Sequence, residues 1–128
     1  MQLATQQYAD TTVAAPRGRI DHRSATAFES ALLPLLDGAA DRRGALVLDF
    51  SEVEYISSVG LRVLMIAARR MRDAQAGIGI AALQGVVAEI FAISRFDKIL
   101  PVSATLADAL QRCSADALAA YRARGDTA

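Results

Sequence analysis

Few residues in this sequence could carry chemistry. There is one histidine, His22, and one cysteine, Cys113. Metal sites built from paired His and Cys ligands are therefore excluded. A Ser-His-Asp triad would have to use His22. The nucleophile-elbow pattern Gly-x-Ser-x-Gly is not met around Ser58, because Ile56 stands where the first glycine belongs. No Walker loop is present. Gly77-x-Gly79 opens an apolar run, whereas a dinucleotide fingerprint needs its glycines after a strand and at a helix start. His22, between Asp21 and Arg23, reads as a turn residue, and Cys113 as a small apolar residue on a helix. What remains is Ser57-Ser58-Val59-Gly60. One of these serines must cap a helix. A phosphate on Ser58 would sit beside free backbone N–H groups at the positive end of that helix. It would add about −1.5 to −2 charges at neutral pH.

The elements that position these serines are legible. Ala45 to Phe50 is an apolar run interrupted only by Asp49, the pattern of a buried parallel strand. Asp49 at its end needs a backbone N–H or hydroxyl partner. Ser51-Glu52 makes a turn, Val53 and Tyr55 return to the core, and Ile56 leads into the serines. The helix from Ser58 to about Ala74 places Leu61, Leu64, Met65, Ala68 and Met71 on one face. Val59, Arg62, Ile66 and Arg69 form a second stripe. It is either a solvated face with Ile66 touching a neighbouring helix, or a partner surface.

Around this centre the chain alternates strands and helices. Leu3 to Tyr8 and Thr12 to Ala15 form a hairpin across Ala9-Asp10, the first strand lying at an edge. Residues 16–21 form a bend with Ile20 inward. Ser24 is an expected N-cap, with Asp21 able to do a similar job. Phe28, Ala31, Leu32, Leu35 and Leu36 give a helix an apolar face. Pro34 should kink that helix or leave its end irregular, and Asp37-Gly38 should end it. Gly77 to Leu83 is a further strand and Gln84 to Ser94 a helix. Arg95 to Lys98 is a turn, and Ile99 to Val102, with Pro101, an edge strand. Ser103 is expected to cap a last helix with Leu106, Ala109, Leu110 and Cys113 inward. That helix could reach Tyr121, with a weakly anchored alanine-rich end and fraying over 122–128. The expected fold class is α/β: a single domain over 1–128 with its core at about 11–113. Its sheet should be mixed and mostly parallel, of four or five strands, with about four helices packed chiefly on one face.

Composition bounds the rest. A chain of 128 residues, 53% hydrophobic, suits one compact domain. Fourteen basic residues balance 14 acidic ones, so nothing electrostatic points to nucleic acid or an acidic membrane. No apolar run is long and charge-free enough for a membrane span, and the N-terminus lacks the pattern of a signal peptide. A single cysteine suits the cytoplasm.

The stretch Leu48-Asp49-Phe50-Ser51-Glu52-Val53-Glu54-Tyr55-Ile56-Ser57-Ser58-Val59-Gly60-Leu61-Arg62-Val63-Leu64 resembles the signature of STAS domains, in particular bacterial anti-sigma factor antagonists. Gly18-Arg19-Ile20-Asp21 is similar to that family's turn before its first helix. Residues 96–102 and 105–110 resemble its closing strand and helix. The similarity covers roughly 11–110. It implies a partner-switching module without catalytic activity and without a cofactor or metal. The implied partners are an anti-sigma factor of the histidine-kinase-like ATPase fold, which acts as a serine kinase, and a PP2C-type serine phosphatase. The implied phosphorylation position is Ser58, with Ser57 second. Many members carry Asp where this chain has Ser57, while a subgroup shares Ile-Ser-Ser-x-Gly-Leu-Arg. Asp21 matches a family aspartate near the serine. The expected partner surface is Asp21, Ser57, Ser58, Val59, Gly60, Arg62 and Ile66. Two other functions stay open: an accessory or scaffold subunit of a lipid transporter or sensing complex, and a small-ligand or nucleotide module.

Overall fold

Strand β4 (Ala45–Asp49) is the middle of a five-stranded sheet, and its sequence says why. Leu46 and Leu48 point to one face and Val47 to the other, all fully buried. A strand covered on both faces has no polar side to alternate with, hence the continuous apolar run. In the computed structural model, which describes residue 1 and residues 3–125, the sheet order is β1-β2-β4-β6-β7. Strands β1 (Ala4–Tyr8) and β2 (Thr11–Ala15) form an antiparallel edge hairpin turned at Ala9, whose φ is 55°. β2, β4, β6 (Gly77–Ala81) and β7 (Val102–Ser103) run parallel, with Val13 beside Val47 and Leu48 beside Ile80.

Helices α1 (Ala25–Asp41), α2 (Ser58–Asp73) and α3 (Gly85–Ile93) cover one face. Phe28, Leu32, Leu64, Met71, Val87 and Phe91 meet Ala14, Leu46, Leu48 and Ile80 there. This is the larger core, but the helices are not confined to it as the sequence suggested. The opposite face is closed by α4 (Leu106–Cys113) and α5 (Ala115–Ala123), over Val13, Val47 and Ala81. The last helix is thus two helices, because Ser114 is extended (φ −167°) and its side chain accepts from the Ala117 N–H to start α5. The alanine-rich end is anchored, contrary to the weak attachment expected. Ala117, Leu118 and Tyr121 are buried, and the Tyr121 ring meets Tyr8 edge-on with centroids 5.3 Å apart. Of the fraying expected over 122–128, residues 122 and 123 are helical instead, and 126–128 lie outside the described residues.

Other boundaries moved for local reasons. α1 runs through both Pro34 and Gly38. Pro34 and Ser30 are exposed, so the carbonyl that Pro34 leaves unbonded faces water. Beyond them Leu36, Ala39 and Ala40 are buried and hold the helix down. It stops at Arg43, left-handed at φ 51°, where the Gly44 N–H reaches back to the Ala39 carbonyl. The end of α1 thus lies at Arg43 and not at the expected Asp37-Gly38, and the next residue must be glycine because a Cβ at Gly44 would collide with the Asp10 carbonyl. The last strand is only two residues, after a 3-10 turn at Phe96–Lys98 that leaves Ile99 exposed and buries Leu100. Ser103 lies buried in β7 rather than capping α4. Thr105 caps that helix, accepting from the Asp108 N–H at 3.1 Å.

A second, two-stranded sheet was not expected. β3 (Gly18–Ile20) pairs in parallel with β5 (Val53–Ile56). Gly18, at φ 80°, donates its N–H to the Glu52 carbonyl at 2.9 Å and turns the chain into this pairing. What reads as a bend in sequence is a short strand, too brief to show a period.

Candidate functional site

The small sheet delivers two loops to one place. Ile20 is paired with Ile56, both buried, so Asp21 and Ser57 leave the sheet side by side. The Ser57 N–H donates to the Ile20 carbonyl at 2.8 Å, tying the start of α2 to the approach of α1. Ser57 is extended (φ −89°, ψ 172°) and is the N-cap; its Oγ accepts from the Gly60 N–H at 3.3 Å, and its carbonyl accepts from the Leu61 N–H at 2.9 Å. Ser58 is the first helical residue. It is exposed, and its hydroxyl has no hydrogen-bond partner among the described residues. The free N–H groups of the first helical turn lie around it.

Gly60 has a different part from the one expected of it. It is buried at the first turn of α2. A Cβ there would lie 2.7 Å from Ile56 Cγ1, 2.9 Å from Ile20 Cγ2 and 3.1 Å from the Ile20 carbonyl. Its absence lets the first turn of α2 lie directly on the small sheet.

Asp21 organises the neighbouring loop. Its Oδ1 accepts from the Arg23 N–H at 3.0 Å and the Ser24 N–H at 3.3 Å. The Arg23 N–H above all holds the carboxyl below the usual carboxylate range; desolvation, the next-largest effect, opposes it, and the Ser24 N–H and the His22 and Arg19 charges add to the lowering. Ser24 occupies the N-cap position of α1, but its hydroxyl makes no capping bond. It donates to the Arg19 carbonyl at 2.8 Å and accepts from the Asp21 N–H at 3.0 Å. Ser24 is thus the N-cap by position, as expected, while the side-chain bonds to backbone N–H groups come from Asp21 and fall on the loop before α1. Arg19 lies over the Tyr55 ring, 4.5 Å from its centroid, which leaves Tyr55 half-buried rather than in the core. Asp49 finds the expected partner in the Ser51 N–H at 3.0 Å.

Along α2 the buried face is Gly60, Val63, Leu64, Ala67 and Met71, with Leu61, Met65 and Ala68 only partly covered. This rotates the helix from the face expected and leaves the other stripe outward. Val59 is 45% and Ile66 42% exposed, with Arg62 between them and in no ion pair among the described residues. Val59, Arg62 and Ile66 border a hollow of about 200 Å³, whose opposite wall is Thr26 and Glu29 of α1. Leu33, 46% exposed, lies one turn further along α1. These α1 residues were missed in the sequence. Their i, i+3, i+7 spacing placed them on one outward face, but nothing in the sequence said which helix α1 would lie against. The structure brings Asp21, Ser57 and Ser58 together at one end of this surface and sets Val59, Arg62 and Ile66 along it. His22 is exposed in the Asp21 loop, and Cys113 is half-buried on α4, where burial pushes its thiol up. No group of three or more His, Cys, Asp or Glu residues among those described could hold a metal.

The family model described as MlaB, STAS domain matches residues 3–101. The chain belongs to the STAS domain family. BtrV of Bordetella bronchiseptica, named as an anti-sigma factor antagonist, is 33% identical over 103 residues, 80% of this chain and 86% of its own. A crystal structure of an anti-sigma factor antagonist from Mycobacterium paratuberculosis superposes with a TM-score of 0.75 at 27% identity, covering 88% of this chain and 92% of that one. The phosphorylated form of the Bacillus cell fate determinant SpoIIAA shares the STAS fold at a TM-score of 0.62 and 14% identity, covering 88% and 99%. No helix among the described residues is long and apolar enough to cross a membrane.

Proposed function

We propose that this STAS domain is an anti-sigma factor antagonist that works by partner switching. Unmodified, it binds an anti-sigma factor of the histidine-kinase-like ATPase fold and releases that factor's client, a sigma factor or other regulator. That partner phosphorylates Ser58, which ends the complex, and a PP2C-type phosphatase restores the binding form. The chain is then a cytoplasmic binding protein rather than an enzyme. The observation that carries the reading is the division of labour between the two serines. Ser57 Oγ is occupied in holding the Gly60 N–H, while Ser58 stands exposed with its hydroxyl unengaged. The names of BtrV and of the Mycobacterium structure support the antagonist role.

The local electrostatics explain how one phosphate could act without unfolding anything. The new charge would lie at the positive end of α2, with Arg62 one turn along the same helix. Neither interaction breaks an existing ion pair, because Arg62 has none among the described residues. The fold therefore tolerates the modification. A partner that approaches this end with its own carboxylates or phosphate does not, and it also loses Arg62 as a donor.

The test is binding of wild type, Ser58→Ala and Ser58→Asp to the histidine-kinase-like ATPases encoded in the same genome, measured by calorimetry. One ATPase should bind wild type and Ser58→Ala and bind Ser58→Asp at least tenfold more weakly. Equal binding of all three, or stable association only with transport-ATPase components, would replace this reading by the accessory-subunit one.

A further inference from the structure

A groove lies at the other end of α2, away from the serines. It is open to solvent and holds about 590 Å³ between the last turns of α2, the first residues of β6 and the 3-10 turn at Phe96–Lys98. That volume is in the range of small-molecule pockets, roughly 300–1,000 Å³. Its apolar surface comes from Met65, Ile78 and Ile99, the last 44% exposed. Its charged surface comes from Arg69, Arg72 and Lys98, and no carboxylate lines it.

These cations are poorly neutralised. Arg69 and Lys98 are in no ion pair or hydrogen bond among the described side chains, and Arg72 has only Asp73 at 3.7 Å, both about three-quarters exposed. Such a pair is worth little in water. Two of the cations could be explained by their place in the last turns of a helix, where positive charge suits the helix dipole. Lys98 ends a 3-10 turn of only three residues, whose dipole is too short to account for it in the same way. It is the only lysine in the chain and is held in place by its neighbour Phe96, which is 3% exposed and packs edge-on against Phe91 at 5.3 Å. Nor does the dipole explain an exposed isoleucine beside that lysine.

We propose that this groove binds an organic anion with an apolar body: a carboxylate or phosphate monoester between Arg69, Arg72 and Lys98, its hydrocarbon portion on Met65, Ile78 and Ile99. Three solvated like charges around one groove repel one another, and an anion relieves this, while the apolar portion gains by leaving water. The site would give the module a metabolite input separate from the Ser58 surface.

The probe is dodecanoate, titrated into the full-length ¹⁵N-labelled chain. Dodecyltrimethylammonium serves as the same tail with opposite charge, and inorganic phosphate as an anion without a tail. Saturable shifts confined to amides near Arg69, Ile78 and Lys98 are expected with dodecanoate alone. Arg69→Glu combined with Lys98→Glu should weaken binding about tenfold or more, equivalent to about 1.4 kcal/mol. Both positions are exposed, and an unchanged amide spectrum elsewhere verifies the fold. Equal binding of the cationic detergent, equal binding of phosphate, shifts spread over the surface, or no saturation would each overturn the proposal.

Discussion

Replacing Gly60 by alanine should damage the junction on which the serine site rests. In an ordinary helix interior the change is favourable by about 0.8–1.0 kcal/mol, because glycine is the poorer helix former. Here the added methyl would meet Ile56 Cγ1 at 2.7 Å, Ile20 Cγ2 at 2.9 Å and the Ile20 carbonyl at 3.1 Å. Both isoleucines are at most 1% exposed, so neither can swing away. Overpacking of this kind costs about 1–3 kcal/mol. The balance is a net loss of up to about 2 kcal/mol, in place of the usual gain. Gly38→Ala is the internal control. It also lies within a helix, but its Cβ would meet only the Arg42 guanidinium at 3.4 Å, so it should stabilise by about 0.5–1 kcal/mol. Urea unfolding of both variants, with unchanged m-values, reads the difference. The relief of strain in Gly60→Ala must lift α2 off β3 and lengthen the Ser57 N–H bond to Ile20. The Ser57 amide should therefore exchange faster than in Gly38→Ala. Two variants of equal stability, within about 0.5 kcal/mol, would show that the close approach of α2 to the small sheet is not a constraint.

The C-terminal helix gives a second expectation. Tyr121→Ala removes a ring that is 6% exposed and packed on Tyr8, and should cost about 2–4 kcal/mol in thermal unfolding. A loss under about 0.5 kcal/mol would instead describe a frayed tail. A third concerns the end of α2, where Gln75 is left-handed at φ 56°. Gln75→Gly should stabilise by about 0.5–1 kcal/mol in the same assay, since glycine takes that conformation without strain. No gain would mean that Gln75 is not held in this conformation.

The sequence was most informative where one period ran long enough to be recognised. The buried strand at Ala45–Asp49, the helix from Ser58 and the N-terminal hairpin all followed from patterning. The serine pair was legible because a polar N-cap stood between a strand and an amphipathic run. Short pairings were not legible. Three residues at Gly18–Ile20 carry no period, yet their pairing with Val53–Ile56 is what sets Asp21 beside Ser57. Glycine was ambiguous for the same reason. Gly38 and Gly44 look alike in sequence, and only the nearness of the Asp10 carbonyl distinguishes the one whose place a side chain cannot take. Gly60 looked like part of an exposed motif, and its burial depends on two isoleucines 4 and 40 residues away in the chain. Tertiary contact also decided the tail. Nothing local in residues 115–123 announces Tyr8 as a neighbour, so burial there could not be read in advance.

The central claim is that Ser58, and not its capping neighbour, carries a reversible phosphate. Peptide mass spectrometry on the protein isolated from its own cells, under contrasting growth conditions, tests it most directly. A single phosphate on Ser58, varying with conditions and leaving Ser57 unmodified, is the predicted result. Phosphate on Ser57 would mean that the cap is released for modification and would refute the assigned roles. A protein that stays unmodified under every condition would contradict the switch itself.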